Sequence, residues 1–361
     1  MISNQIILQS IQDLKNVTKI DLGVFELNGS CAAATFETEG MNRSVITDFA
    51  ASPAESQVVG EHHLLKVMDD EEVHYVLDAR SLSDDAYMIG KIAVLHLQEL
   101  MAAYKERFDR NNFFQNLILD NLLLVDIYNR AKKLHIKETQ ARVVYLVETE
   151  SKDAAVDELL KGMFSAQNGH FITSVEERKI ILIKAVEPTD GVEELDEVAR
   201  SIVDTVSAEA MVKTKVAYGT MVQDLKDVSK SYKEAAMALE VGKIFYAEKT
   251  VIAYATLGIG RLIYQLPTSL CQMYIQEIFG DRIPDELDEE TLNTVNKFFE
   301  NNLNVSETSR QLFIHRNTLV YRIEKLQKAT GLDIRTFDDA LTLKIALMVV
   351  NYMTYLENRE L

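Results

Sequence analysis

The sequence predicts a multidomain α+β protein whose carboxyl-terminal part is wholly helical. Three observations carry that expectation. Short strand-like runs flank Asn28-Gly29 near the start, a β-α-β-β-α-β alternation runs from Ala141 to Gly258, and no strand pattern follows Pro284. A length of 361 residues suggests two or three domains, and a hydrophobic content of 47% supplies enough apolar material to rule out global disorder. Two cysteines, Cys31 and Cys271, exclude a disulfide scaffold and a cysteine-based zinc site, and fit a reducing cytosol. Ile6-Ile7-Leu8 is too short for a signal peptide, and no apolar stretch approaches the ~20 residues of a membrane helix. The expected location is therefore cytoplasmic, with no membrane partner. A formal net charge of −18 argues against a protein that coats nucleic acid. It leaves room for a local basic patch, because salt screens charge beyond about 8–10 Å.

The elements follow in order. Asp21 to Glu26 and Ser30 to Thr35 read as strands, with Asn28-Gly29 supplying the positive φ of a tight hairpin turn. His63 to Met68 and Glu72 to Asp78 form a second pair across Asp69-Asp70-Glu71, with a helix between the pairs at Asn42 to Ala51. From Ser83 an apolar stripe (Ile89, Ile92, Ala93, Leu95, Leu97, Leu100, Met101) and a denser one (Phe113 to Leu124) predict long helix, kinked or interrupted at Asp109 to Asn112. Such a helix is expected to connect modules and to pair with a partner.

Arg142 to Val147 reads as a buried strand and Lys152 to Phe164 as helix. Phe171 to Val175 and Lys179 to Ile183 make a hairpin, Glu193 to Ser207 a helix and Lys213 to Tyr218 a strand. Leu225 to Val241 is helix and Val251 to Tyr254 a last strand. This order predicts a ferredoxin-like or nucleotide-cyclase-like sheet with helices on one face. Four helices close the chain, at Asp288–Asn301, Ser306–Leu312, Asn317–Thr330 and Asp338–Leu356.

Several chemistries lack their residues. Gly258 and Gly260 are followed by Ile263 where a dinucleotide fingerprint needs a third glycine. Gly90-Lys91 and Gly242-Lys243 lack the earlier glycine of a phosphate-binding loop. Glu61-His62-His63 are sequence neighbours whose side chains point apart, so a surface or turn role is expected. His74, His96, His135 and His170 lie singly. No catalytic residue, metal ligand or cofactor is assigned.

The stretch Asn304 to Gly331 is more informative. Ser306 suits a helix N-cap, Phe313-Ile314-His315 a turn, and Gly331 a C-cap. On the second helix Leu319, Ile323 and Leu326 recur at i, i+4 and i+7 as a buried face, meeting Leu312 and Ile314. The other side carries Asn317, Thr318, Tyr321, Arg322 and Lys325, with His315 and Arg316 at its entry. Arg316, Asn317 and Thr318 are types that read base edges, while Tyr321, Arg322 and Lys325 reach phosphates. Between Asn301 and Thr336 six Lys/Arg stand against three acids, a net +3, while the remainder carries −21. A cationic island in an acidic chain suits a specific rather than a coating DNA binder.

The string NVSETSRQLFIHRNTLVYRI and the trailing TGLD resemble the DNA-binding domain of PucR/CdaR-type transcriptional regulators, as does the wider stretch from Thr291 to Val349. SYKEAAMALEVGK (Ser231 to Lys243), NNFFQNLILDN, RAKKL and ARVVYLVE resemble the degenerate GGDEF-like domain of the same family. The resemblance covers about Asn111 to Val349.

It implies four parts: an N-terminal PAS/GAF-like sensor at 1–82, connector helices at 83–136, a ferredoxin-like (GGDEF-like) domain at 137–265, and an all-α helix-turn-helix domain at 281–361. The sensor resembles its class in strand order and in FELNGS. The chain contains no Gly-Gly, so Glu176-Glu177 in the hairpin turn are expected as solvated residues rather than metal ligands. The implied function is a non-enzymatic regulator that binds double-stranded DNA as a homodimer or higher oligomer, under a small-molecule effector. A nucleotide-cyclase-like enzyme and a protein-interaction scaffold are the alternatives.

Overall fold

The structure, a computed structural model, describes residues 2–38, 43–69, 72–83, 85–150, 154–164, 169–280 and 287–360. The expected helix starts at Asn42 and Lys152, the turn residues Asp70 and Glu71, and the junction at Pro284 lie outside the described residues. The chain gathers into two units, Met1–Phe114 and Gln115–Leu361.

The first unit runs α1 (Asn4–Thr18), β1 (Asp21–Phe25), β2 (Cys31–Ala34), α2 (Arg43–Ala51), β3 (Ser56–Val59), β4 (His62–Asp69), β5 (Glu72–Arg80) and then α3 (Asp85–Ile118). Its strands form an antiparallel sheet in the order β2-β1-β5-β4-β3. Gly29, at φ +82°, makes the expected β1–β2 turn. Strand alternation then sorts the side chains between two cores. Leu22, Val24, Leu65, Val67, Leu77 and Ala79 pack on Ile7 and Ile11 of α1 and on Ala86, Ala93 and Leu97 of α3. Phe25, Leu64 and Val76 face Ile46 and Phe49 of α2.

The expected break at Asp109 to Asn112 does not occur, and α3 continues through it for 34 residues. That polar stretch contains neither proline nor glycine, and Arg110 pairs with Glu106 one turn earlier at 3.0 Å, so nothing there disrupts the hydrogen-bond ladder.

The second unit continues through α4 (Leu124–Lys133), β6 (Thr139–Thr149), α5 (Ala154–Met163), β7 (Phe171–Glu176), β8 (Lys179–Ala185), α6 (Val192–Glu209), β9 (Thr214–Tyr218) and β10 (Val222–Asp224). A 3-10 turn at Leu225–Asp227 leads into α7 (Val228–Phe245), followed by β11 (Val251–Ala253), α8 (Ile259–Tyr264), α9 (Thr268–Phe279) and α10 (Glu289–Glu300). The last three helices are α11 (Val305–Gln311), α12 (Arg316–Thr330) and α13 (Phe337–Glu360). The sheet order is β11-β9-β6-β8-β7, with β10 also paired to β6; among the described residues β11–β9 is parallel and the other pairs are antiparallel.

The helices cover both faces of this sheet, not one. Val143, Tyr145, Val147, Val216 and Tyr218 pack on Val156 and Leu160 of α5 and on Leu195, Ala199, Ile202 and Val206 of α6. The alternate residues Val144, Leu146 and Ala217 are equally buried and point the other way, where α7 lies across β6 and β9. Two contacts lock α7 down. The Val144 amide donates to Ser231 Oγ at 3.0 Å, and Gly219 lies so close that a Cβ there would meet the Ser231 carbonyl oxygen at 2.1 Å.

Candidate nucleic-acid interface

The terminal helices close on Val295, Phe298, Leu319, Ile323, Leu326, Ile334, Ala340 and Leu343. The N-cap of α11 is Asn304 rather than Ser306: its Oδ1 accepts from the amides of Ser306 (3.0 Å) and Glu307 (3.1 Å). Asn304 has the extended backbone a cap requires, whereas Ser306 is already helical. After α11 the chain turns through Phe313 (φ +54°), and Ile314 returns to the core. His315 then caps α12, its Nδ1 accepting from the Asn317 amide at 3.2 Å. Gly331, at φ +77°, ends α12 as expected.

Leu319, Ile323 and Leu326 are buried, so the helix has one orientation and the remaining positions are assigned by its 100° steps. His315, Arg316, Asn317, Thr318, Tyr321 and Lys325 are exposed. Asn317, Tyr321 and Lys325 align at i, i+4 and i+8 directly away from the core, and Lys328 extends the stripe by three residues. Sequence reasoning counted Lys328 as charge without placing it on this surface; its spacing of seven from Tyr321 was the available signal.

Arg322 is arranged differently. It is half-buried, donating from Nη1 to Thr294 Oγ1 (3.0 Å) and pairing through Nη2 with Glu290 Oε1 (2.5 Å), both on α10. Two further cations of the basic stretch are also paired, Arg310 with Glu307 (2.5 Å) and Arg335 with Asp333 (2.7 Å). Arg316, Lys325 and Lys328 make no ion pair with a described residue, so the open positive charge is concentrated on α12. Nearby, Asp288 caps α10 by accepting from the Thr291 amide at 2.8 Å, which holds its carboxyl below the usual range; Lys325 and Arg322 add to the effect. The surface offers three long cations, an amide, a hydroxyl and a phenol at one helix end and along one stripe. That set can donate to phosphates and to base edges.

Elsewhere the candidate chemistries are tied up. The β7–β8 turn holds Glu176 against Lys179 at 2.9 Å. Beside it a cavity of about 560 Å³ is lined by Glu148, Glu240, Lys243 and Tyr355 among others. Burial alone would depress the Lys243 ammonium, but its hydrogen bond to Glu148 (2.7 Å) and its pairing with Glu240 (3.1 Å) raise it instead. Tyr355 of α13 donates to the other Glu240 oxygen at 2.7 Å. In the first unit Glu61 pairs with Arg80 at 2.5 Å, and His62 Nδ1 lies 2.7 Å from Asp78 Oδ2, a fully buried carboxylate that desolvation pushes up against the pull of His62. Among the described residues no group of three or more metal-type side chains comes together. No helix of the described residues is long and apolar enough to cross a membrane.

Residues 291–349 match the PucR C-terminal helix-turn-helix domain, and residues 121–241 match the GGDEF-like domain. The chain is 27% identical over 258 residues to the purine catabolism regulatory protein of Bacillus subtilis, covering 66% of this chain and 48% of that protein. It is 27% identical over 241 residues to the carbohydrate diacid regulator of Escherichia coli, covering 61% and 60%. Over 139 residues it is 27% identical to the proline-responsive transcriptional activator PutR of Bacillus subtilis, covering 37% and 34%. The match thus spans less than two thirds of the length of each of these relatives. With a GGDEF-like domain match followed by a PucR-type helix-turn-helix match, the chain is similar in its domain order to the PucR/CdaR-type transcriptional regulators.

Proposed function

We propose that the protein is a cytoplasmic, sequence-specific DNA-binding regulator of transcription that reads double-stranded DNA through α12. The observation that carries this is the N-terminal end of α12, where Arg316, Asn317 and Thr318 stand exposed on a helix fixed by Leu319, Ile323 and Leu326. In this reading those three residues and His315 approach base edges, while Tyr321 and Lys325 meet the phosphate backbone. Arg322 joins them when its pairing with Glu290 opens. A homodimer or higher oligomer supplies the second reading helix, and half-sites about 34–36 Å apart match a two-fold pair.

The domain limits that fit this reading are a sensor at 1–82, connector helices at 83–136, the GGDEF-like domain at 137–265 and the DNA-binding domain at 281–361. The strand order β2-β1-β5-β4-β3, with helices on both faces, supports a PAS/GAF-like sensor for a small-molecule effector in the first unit. The GGDEF-like domain serves as relay or assembly surface in place of cyclase chemistry. The lack of any Gly-Gly, the Glu176–Lys179 pair and the engagement of Lys243 by Glu148 and Glu240 support that role.

The test is fluorescence anisotropy of the full chain on the DNA upstream of its own gene and on a random duplex, at two salt concentrations. Tighter binding to the first, with affinity falling as salt rises, is expected. Equal affinity for both duplexes would overturn specific recognition. GTP turnover with Mg²⁺ would favour the cyclase-like alternative.

A further inference from the structure

The first half of α3 buries Ala86, Ala93, Val94 and Leu97 against its own sheet. Diametrically opposite, at successive steps of four and three, stand Met88, Ile92 and Leu95, exposed to 66%, 47% and 61%. The same face continues with exposed Glu99, Ala102 and Ala103, and exposed Lys91 flanks it. A helix that has already buried one stripe seldom carries a second apolar one without a partner, and steps of three and four are the spacing that packs on another helix.

The pattern specifies that partner. Lys91 and Glu99 lie four residues to either side of Leu95, and Met88 and Ala102 lie seven residues to either side. We propose that α3 packs antiparallel on α3 of a second copy of this chain, about a two-fold axis passing beside Leu95. Leu95 then meets Leu95 of the other copy, each Lys91 faces a Glu99, and each bulky Met88 covers a small Ala102. The contact is isologous: one rotation makes the Lys91–Glu99 and Met88–Ala102 pairs twice each and the Leu95–Leu95 pair once, beside the axis. The parallel alternative sets Glu99 against Glu99 and Met88 against Met88, uniting like charges and leaving the alanines unfilled. The inference stands on α3 alone and holds whether or not α12 binds DNA.

The experiment uses the full chain in a Cys31→Ser background, which removes the exposed native thiol; Cys271 is buried. Sedimentation equilibrium is expected to give a reversible dimer, with Leu95→Glu raising the dissociation constant by about 100-fold and Lys91→Glu by about 10-fold. The double exchange Lys91→Glu with Glu99→Lys restores association, because the pair is remade with its signs reversed. Orientation is read by oxidation. Met88→Cys with Ala102→Cys forms a linked dimer, since the two positions on one helix are about 21 Å apart and cannot bridge within a chain. Met88→Cys alone does not link. A parent chain that is monomeric at all concentrations, an unchanged mass for Leu95→Glu, or efficient linkage by Met88→Cys alone would each overturn the proposal. Circular dichroism melts of the variants, all at exposed positions, separate lost association from lost folding.

Discussion

Arg322 of α12 and Glu290 of α10 are joined Nη2 to Oε1 at 2.5 Å, and Thr294, one turn further along α10, accepts from the other guanidinium nitrogen. The pair is asymmetric: Arg322 is 22% exposed and Glu290 69%. The carboxylate can therefore swing into water while the arginine stem stays packed. An ion pair this open is worth about 0–1 kcal/mol. Glu290→Gln is expected to leave the thermal midpoint nearly unchanged and to tighten duplex binding roughly three- to fivefold at low salt, as a phosphate takes the vacated place. Unchanged affinity in an anisotropy titration would mean that Arg322 remains on Thr294 and does not reach DNA.

Asn317 and Lys325 separate reading from holding. Asn317→Ala is expected to cost about 1–3 kcal/mol on the preferred duplex and to relax sequence preference, by removing a two-point contact to a base. Lys325→Ala should weaken all duplexes alike and lower the slope of log affinity against log salt by about one. A binding series over single-base variants of the site distinguishes the two. Identical losses on cognate and random DNA for both variants would contradict the assignment.

Ile323 is 2% exposed in the terminal core beside Leu319 and Leu326. Ile323→Ala should destabilise that core by about 2–5 kcal/mol, with DNA binding lost through unfolding. Urea denaturation followed by circular dichroism checks it, and a shift below about 1 kcal/mol would show that the site collapses around the deletion.

Gly219 tests the seating of α7. Its missing Cβ would lie 2.1 Å from the carbonyl oxygen of Ser231, a backbone atom in the first turn of α7 that cannot rotate away. Gly219→Ala is expected to cost about 1–3 kcal/mol or more and to speed amide exchange at Val144, whose partner is the Ser231 hydroxyl. Hydrogen exchange read by mass spectrometry decides the matter.

Asp78 gives the first unit a pH dependence. Burial raises its carboxyl above the ordinary value despite His62, so in the window just above the usual carboxylate range the folded state binds more protons than the unfolded one. Stability from this group is present below that window and is lost as pH rises through the folded value. Asp78→Asn should therefore remove a gain in thermal midpoint seen on mild acidification. Retention of the full acid-side gain in the variant would assign it to another group.

Much of the terminal domain was legible because its signals are local. The spacing of Leu319, Ile323 and Leu326 and the glycine at 331 depend on neighbours only a few residues away. The sequence pointed to Ser306 as the cap, but Asn304 two residues earlier is as good a capping side chain, and only the backbone angle decides for it. α1 and β3 escaped notice: α1 has an exposed polar face, and three of the four β3 residues are exposed, so neither left a strong pattern. The second covered face of the middle sheet was written in the unbroken apolar run Val143 to Val147, since a half-solvated strand would have alternated. The Arg322–Glu290 pair spans 32 residues and two helices, and no spacing rule announces it.

α13 belongs to two cores at once. Its early residues Ala340 and Leu343 complete the cluster around α12, while Val349 and Tyr352 close a second cluster with Ile263 of α8 and Cys271 of α9. A fragment beginning at Leu287 would keep the first half of that helix content and strip the second half bare. Excising the terminal domain alone would thus leave a greasy strip where α8 and α9 had been, inviting such a fragment to clump unless those two helices are carried with it.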